Sequence, residues 1–258
     1  MAGAPGRLSV TVLGDDGWSY RHGADRPVSA ASTIKVPILI AVLSLVERGG
    51  LDLAEPVLLP EPRERVGGAG PLSLLPSVTQ LSLLETLRLM IALSDNDATN
   101  AVIDRLDLLG SDTLADLLAR VPTRHTHLRR RLMDFTAVTD GVDNQTCAAD
   151  LTQMLAALRE GRLLGAATSR TAIDVLRLQQ RRDGLPAYLA AEVEVASKTG
   201  ELPGLRADMA LLERGNRWVA VSVVADDLTH AGTDRGTSVL PVFAEIGRLS
   251  GERLRGFG

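Results

Sequence analysis

Ser32 and Lys35 are the two residues of this chain whose types and spacing suggest chemistry on their own. A serine hydroxyl becomes a nucleophile only when a base takes its proton, and a lysine is a base only when burial or a neighbouring cation lowers its pKa. The spacing predicts a helix beginning at Ser32, in which residues three apart share a face and the amine lies one turn along from the hydroxyl. Residues 36–43 read Val-Pro-Ile-Leu-Ile-Ala-Val-Leu, an apolar run that would bury this helix and desolvate the amine. A surface helix with a capping serine and a solvated lysine would read the same on four residues, so the pair needs partners.

Two sets of partners follow downstream. Ser94-Asp95-Asn96 comes after a helical pattern over residues 83–93, and Lys198-Thr199-Gly200 comes after a short alternation, residues 193–197, that predicts a strand. S-x-x-K, S-D-N and K-T-G in this order and at domain-scale spacing resemble the motif set of class A β-lactamases and related penicillin-recognising serine hydrolases. The resemblance covers nearly the whole length. It implies a single catalytic domain over residues 1–258 with an α/β two-lobed (α+β) fold: an antiparallel sheet flanked by helices, with residues 1–30 and 180–258 in the sheet lobe and an all-helical lobe over 31–179.

The resemblance also implies roles. Ser32 would attack the carbonyl of a cyclic amide with Lys35 as proton acceptor, and Ser94, between Lys35 and Lys198, would pass a proton to the leaving nitrogen. Asn96 would meet an acylamino side chain, and Lys198 and Thr199 would meet a carboxylate. Gly200 would let the strand approach the ligand, and the backbone N–H groups of Ser32 and Glu201 would hold the oxyanion. The Glu201 side chain, if it lies in the cleft, would repel anionic penicillins and favour neutral or cationic substrates.

The likeness bends at residues 126–135. Active class A enzymes carry a deacylating glutamate in this loop; here no glutamate occurs between Val121 and Asp150. One alignment puts Arg130 or Leu132 in its place. Asp134 is the nearby carboxylate that could substitute, or it could pair with one of Arg129, Arg130 and Arg131; Arg130 and Asp143 could instead clamp the loop ends. Three functions therefore stay open: a β-lactamase, a D-amino-acid peptidase or esterase that β-lactams acylate with slow turnover, and a covalent β-lactam or peptide sensor. A glutaminase, which shares the S-x-x-K start, is a more distant alternative.

Bulk properties fit a small-molecule enzyme. The chain has 258 residues, 45% hydrophobic and 23% charged, and a formal net charge of -4. That is ample for a core and gives no basic footprint for nucleic acid or an anionic membrane. One cysteine, Cys147, excludes an internal disulfide and reads as a packed small residue. His125-Thr126-His127 lies in a basic loop and reads as surface, so no metal and no cofactor are expected, and a monomer is expected. The N-terminus lacks the apolar core of a secretory signal, and residues 36–46 are too few to span a bilayer. The chain as it stands reads as cytoplasmic, or secreted if a leader has been removed.

Local signals fill in the rest. Residues 8–13 alternate like a strand, with Gly14-Asp15-Asp16-Gly17 as the turn of an opening hairpin. Ser82 and Glu85 form a capping-box start, leaving Ser94–Asn96 on a short connection between helices. Gly67-Gly68-Ala69-Gly70-Pro71 reads as a turn at the cleft rim. Cys147 precedes a helix over 148–159, and residues 170–189 carry a helical pattern. Residues 206–212 and 218–225 form a hairpin, and 239–254 an amphipathic helix with Val242, Ile246 and Leu249 on one face.

Overall fold

The computed structural model describes residues 6–107, 123–228 and 239–255; residues 1–5, the start of the N-terminus read above for a leader, lie outside them. A five-stranded antiparallel sheet runs in the order β2-β1-β9-β8-β7, built from β1 (Arg7–Gly14), β2 (Ser19–His22), β7 (Glu194–Leu202), β8 (Leu205–Arg214) and β9 (Arg217–Asp226). The opening hairpin is present, and Gly215-Asn216 joins β8 to β9. That turn is shorter than the sequence suggests, because the alternation carries through Glu213 and Arg214 opposite Trp218 and Arg217. Short two-stranded pairs join β3 (Val28–Ser29) to β6 (Gln145–Thr146) and β4 (Pro56–Leu58) to β5 (Gln80–Ser82).

Among the described residues the α-helices are α1 (Lys35–Glu47), α2 (Leu83–Ala92), α3 (Asn96–Asp107), α4 (Phe135–Thr139), α5 (Ala148–Arg159), α6 (Ala166–Arg177) and α7 (Leu240–Glu252). Every residue from Val36 to Leu43 is buried, so α1 is the central helix. Leu83, Leu87, Met90 and Ile91 of α2, Val102 of α3 and Leu151, Leu155 and Leu158 of α5 share one core with it and with Met209, Leu211 and Ala220 on the inner face of the sheet. The outer face carries a second core, Val10, Val12, Val221, Val223 and Leu212, closed by Phe243 of α7 and by Leu185. The inner core is thus shared by the sheet and the central helices, and the outer core by the sheet and α7.

Three local expectations are corrected. Ser32 does not open the α-helix: Ala31–Ile34 is a single 3₁₀ turn, and α1 starts at Lys35. Residues 170–189 are not one helix, because α6 begins at Ala166 and ends at Arg177, and the chain from 178 to 193 crosses to the sheet without regular structure. The buried face of α7 is Phe243, Ala244, Gly247, Ser250 and Gly251, while Val242 and Leu249 are exposed. Small residues let α7 settle against Leu185, and that close approach outranks the apolar stripe.

Candidate active site

Ser32, the expected nucleophile, sits where the 3₁₀ turn meets the edge of the sheet. Ser32 lies in the 3₁₀ turn and Lys35 is the first residue of α1; the lysine amine bonds Ser94 and Asn96, and no hydrogen bond joins it to the Ser32 hydroxyl. Ala31 has φ 45°, a left-handed conformation that a non-glycine residue holds only when its surroundings impose it. Those surroundings include Gly200 of β7: a Cβ there would lie 3.2 Å from both Ala31 Cβ and Thr33 Cγ2. The glycine therefore brings the sheet edge against the turn that carries Ser32, rather than only making room for a ligand. Lys-Thr-Gly lies inside β7 and does not follow it, since the strand continues to Leu202. As an edge strand, β7 leaves alternate backbone N–H groups free to face the cleft.

Ser94 joins the two lysines. Its Oγ is 3.1 Å from Lys35 Nζ and 3.1 Å from Lys198 Nζ, while Lys35 Nζ also lies 2.6 Å from the Ser94 carbonyl and 2.8 Å from Asn96 Oδ1. Lys198 donates in addition to its neighbour's carbonyl, Thr199 O, at 2.9 Å. Ser94 has φ 56°, which turns the chain out of α2 and aims its hydroxyl between the amines. Lys35 is 0% exposed. Burial first, and then the charge of Lys198, hold its pKa well below 10.5.

A neutral Lys35 has two hydrogens and one lone pair. The hydrogens satisfy the Ser94 carbonyl and Asn96 Oδ1, and the lone pair remains to accept from a hydroxyl, either Ser94 or Ser32. Among the described residues the Ser32 and Thr199 hydroxyls make no hydrogen bond, and both side chains are partly exposed. The arrangement can carry a proton between Lys35 and Lys198 through Ser94.

The connection between α2 and α3 is held from above by the glycine-rich loop, which here acquires a use. Asn96 Nδ2 donates to Gly67 O at 2.8 Å, Asp95 accepts from Leu72 N at 2.9 Å and Ala98 N at 2.8 Å, and Asp97 accepts from Val66 N at 2.7 Å. A Cβ on Gly70, at φ 85°, would sit 2.1 Å from Asp95 Oδ2, so only glycine fits there. Asn96 opens α3, and both ends of its amide are used inside the protein, one by Lys35 and one by the loop.

Asp134 is engaged locally. Its Oδ1 accepts from Ala137 N at 3.0 Å as the N-cap of α4. Nor do the arginines pair with it: Arg130 bonds Asp143 through Nε at 2.9 Å, Arg131 bonds Asp104, and Arg129 bonds Gln145. The loop instead presents Leu132, buried, with its backbone clamped on both sides by Asn100, which accepts from Leu132 N at 2.9 Å and donates to Leu132 O at 3.2 Å. Asn100 is one turn of α3 beyond Asn96, so one face of α3 meets both Lys35 and the Leu132 backbone. Cys147 caps α5 through its sulfur, and burial pushes its thiol up to about 12, as suits a packed residue.

Sequence reasoning missed Asp208. It faces Thr199 across β7–β8 and is buried, with Oδ2 accepting from Leu185 N at 2.8 Å and Oδ1 unpartnered. Burial raises its carboxyl to about 7. The same burial lowers Lys198 to about 7, with Asp208 favouring its charged form and Arg181 opposing it. A lone acid at an alternate position in an apolar strand was the available signal.

Fold and site together define a serine hydrolase of the class A β-lactamase type. The chain belongs to the β-lactamase enzyme family, whose pattern matches residues 1–253. It is 29% identical to a β-lactamase of Rhodobacter capsulatus over 94% of this chain and 85% of that protein. Among solved structures it is similar to a mutant of the class A β-lactamase of the last common ancestor of Gram-negative bacteria (26% identity, 99% and 96% of the chains, TM-score 0.84). It is also similar to a mutant of PBP-A, solved as an acyl-enzyme complex with penicillin G (25% identity, 97% and 91% of the chains, TM-score 0.82). No helix among the described residues is long and apolar enough to cross a membrane.

Proposed function

We propose that the protein is a β-lactam-reactive serine hydrolase that forms an acyl-enzyme at Ser32 and releases it slowly. The observation that carries the reading is Ser94 Oγ standing 3.1 Å from each lysine amine, both of them fully buried. Neutral Lys35 takes the Ser32 proton as Oγ adds to the carbonyl, and backbone N–H groups of Ser32 and Glu201 receive the oxyanion. Collapse breaks the C–N bond, and the leaving nitrogen takes its proton from Ser94, which is resupplied by a lysine ammonium. Lys198 and Thr199 hold the substrate's far end.

Slow release is favoured over efficient β-lactamase turnover by the 126–135 loop. Asp134 has one oxygen engaged in a helix cap and Leu132 occupies the clamped position, and on this reading neither serves as the base for water. A positioned general base contributes roughly 10² to 10⁴ in rate, and its lack extends the acyl-enzyme by a comparable factor. A peptidase or esterase of the penicillin-binding kind, acting on D-amino-acid amides or esters, is consistent with these kinetics.

Time-resolved intact mass spectrometry with excess benzylpenicillin tests the reading. The expected result is a stoichiometric adduct that persists after free drug is removed and is missing in Ser32→Ala. An adduct that clears within seconds would refute slow release, and no Ser32-dependent adduct would refute the function.

A further inference from the structure

Glu201 follows Lys-Thr-Gly directly, and its carboxylate does not stand free. One oxygen accepts from Arg181 Nη1 at 2.8 Å and the other from Arg206 Nη2 at 2.9 Å. The two arginines differ in kind. Arg206 lies opposite Glu201 on β8, its side chain only 9% exposed, with Nη1 donating to Leu202 O at 3.2 Å and Leu205 O at 2.9 Å. Arg181 comes from the chain that crosses to the sheet and is 65% exposed. One cation is thus fixed in the wall and the other can swing.

Alternation along β7 puts Glu201 on the same face as Thr199, two residues and about 7 Å away. A substrate carboxylate seated at Thr199 would find the arginine pair within one side chain's length, already occupied. An unpaired Glu201 would simply repel anions, as the sequence alone suggests. The paired one acts differently, because it holds the charges that an anion would use.

We propose that Glu201 is an internal competitor for the carboxylate of an anionic ligand, and that the cleft is thereby tuned to acyl donors that are neutral at the end lying along Thr199 and Glu201. This rests on reading the cleft as the acyl-transfer site. Opening the half-exposed Arg181–Glu201 pair is the step that an anionic ligand must drive and a neutral one need not.

The test is equilibrium binding by calorimetry in the Ser32→Ala background, which separates recognition from acylation, with benzylpenicillin and its methyl ester as the anionic and neutral probes. Glu201→Gln keeps an acceptor for Arg206 while removing the charge, and its melting temperature reports on folding. Benzylpenicillin is expected to bind about fivefold tighter or more in Glu201→Gln, the scale of one freed charge-assisted pair. The ester should change by less than about twofold, and adding Arg181→Gln should cancel the acid's gain. Equal gains for both probes, no gain for either, or binding of neither would overturn the proposal. Because Ser32 labelling is read separately on the parent protein, a chain that acylates normally yet shows no charge-dependent gain defeats only this inference.

Discussion

Lys35 and Lys198 are both amines whose charged forms the fold disfavours, yet the chemistry asks them for opposite states. Lys35 must be neutral to accept the Ser32 proton, and complete burial beside a second amine pushes its pKa down in that direction. Lys198 must be charged to resupply Ser94 and to meet the carboxylate of an anionic probe such as benzylpenicillin, although burial brings it down to about 7. Asp208 is the group that favours its ammonium form. With the free-enzyme pKa near 7, second-order acylation of Ser32 by benzylpenicillin should fall as pH rises through 7. Asp208→Asn removes a charge that stabilises the ammonium, so that limb should move to lower pH. A pH series of acylation rates checks this, and an unshifted limb with a uniformly lower rate would make Asp208 a packing residue only.

The elements position these residues through contacts between turns rather than through the helices themselves. α3 shows how: Asn96 meets Lys35, and Asn100, one turn on, grips Leu132 at both backbone atoms. The 126–135 loop is therefore tied to α3 at the residue that carries the aliphatic Leu132 side chain. Leu132→Glu would place a carboxylate at that clamped position. Its expected effect is to shorten the lifetime of the benzylpenicillin acyl-enzyme by about 10² with acylation little changed, measured as adduct decay by mass spectrometry. An unchanged lifetime would show that Leu132 does not face the acyl bond.

This element scale also explains what the sequence displayed and what it concealed. Ser82 and Glu85 form the capping box that their spacing announces, because both bonds are local. The strand pairs that frame the sheet are legible as alternation for the same reason. The 3₁₀ turn at Ser32 is not, since Gly200, far along the chain, is what packs against Ala31 and Thr33. Nor is the inward face of α7, selected by contact with Leu185 against small residues rather than by the stripe of Val242 and Leu249. The motif triplets were legible as chemistry, whereas Asp208 and Arg181, which set the charge around them, carry no motif. Their importance arises only once β7, β8 and the 178–193 crossing are side by side.

For the whole molecule, the buried amines are a standing cost. The core on the inner face of the sheet surrounds α1, and the outer core under α7 backs β7 and β8, so the site sits where rigid packing on both sides can hold charges away from water. The sign of the resulting pH dependence follows from proton counts. Lys198 has a folded pKa of about 7 against an ordinary lysine value of 10.5. Between those values the unfolded chain binds more protons than the folded one, so stability rises with pH across that window and gains nothing further from this group below it. Lys35, also lowered, contributes in the same direction. Asp208, raised to about 7, titrates below the window and makes stability fall as pH climbs from its ordinary range toward 7. The melting temperature should therefore rise between about pH 7 and 9.5 relative to the same series in Lys198→Met, which retains only the Lys35 part. The variant should also be the more stable protein at about pH 7 while losing acylation. Parallel pH series for the two proteins would contradict the assignment of a depressed Lys198, and with it the idea that this site keeps its second amine ready to change charge near neutrality.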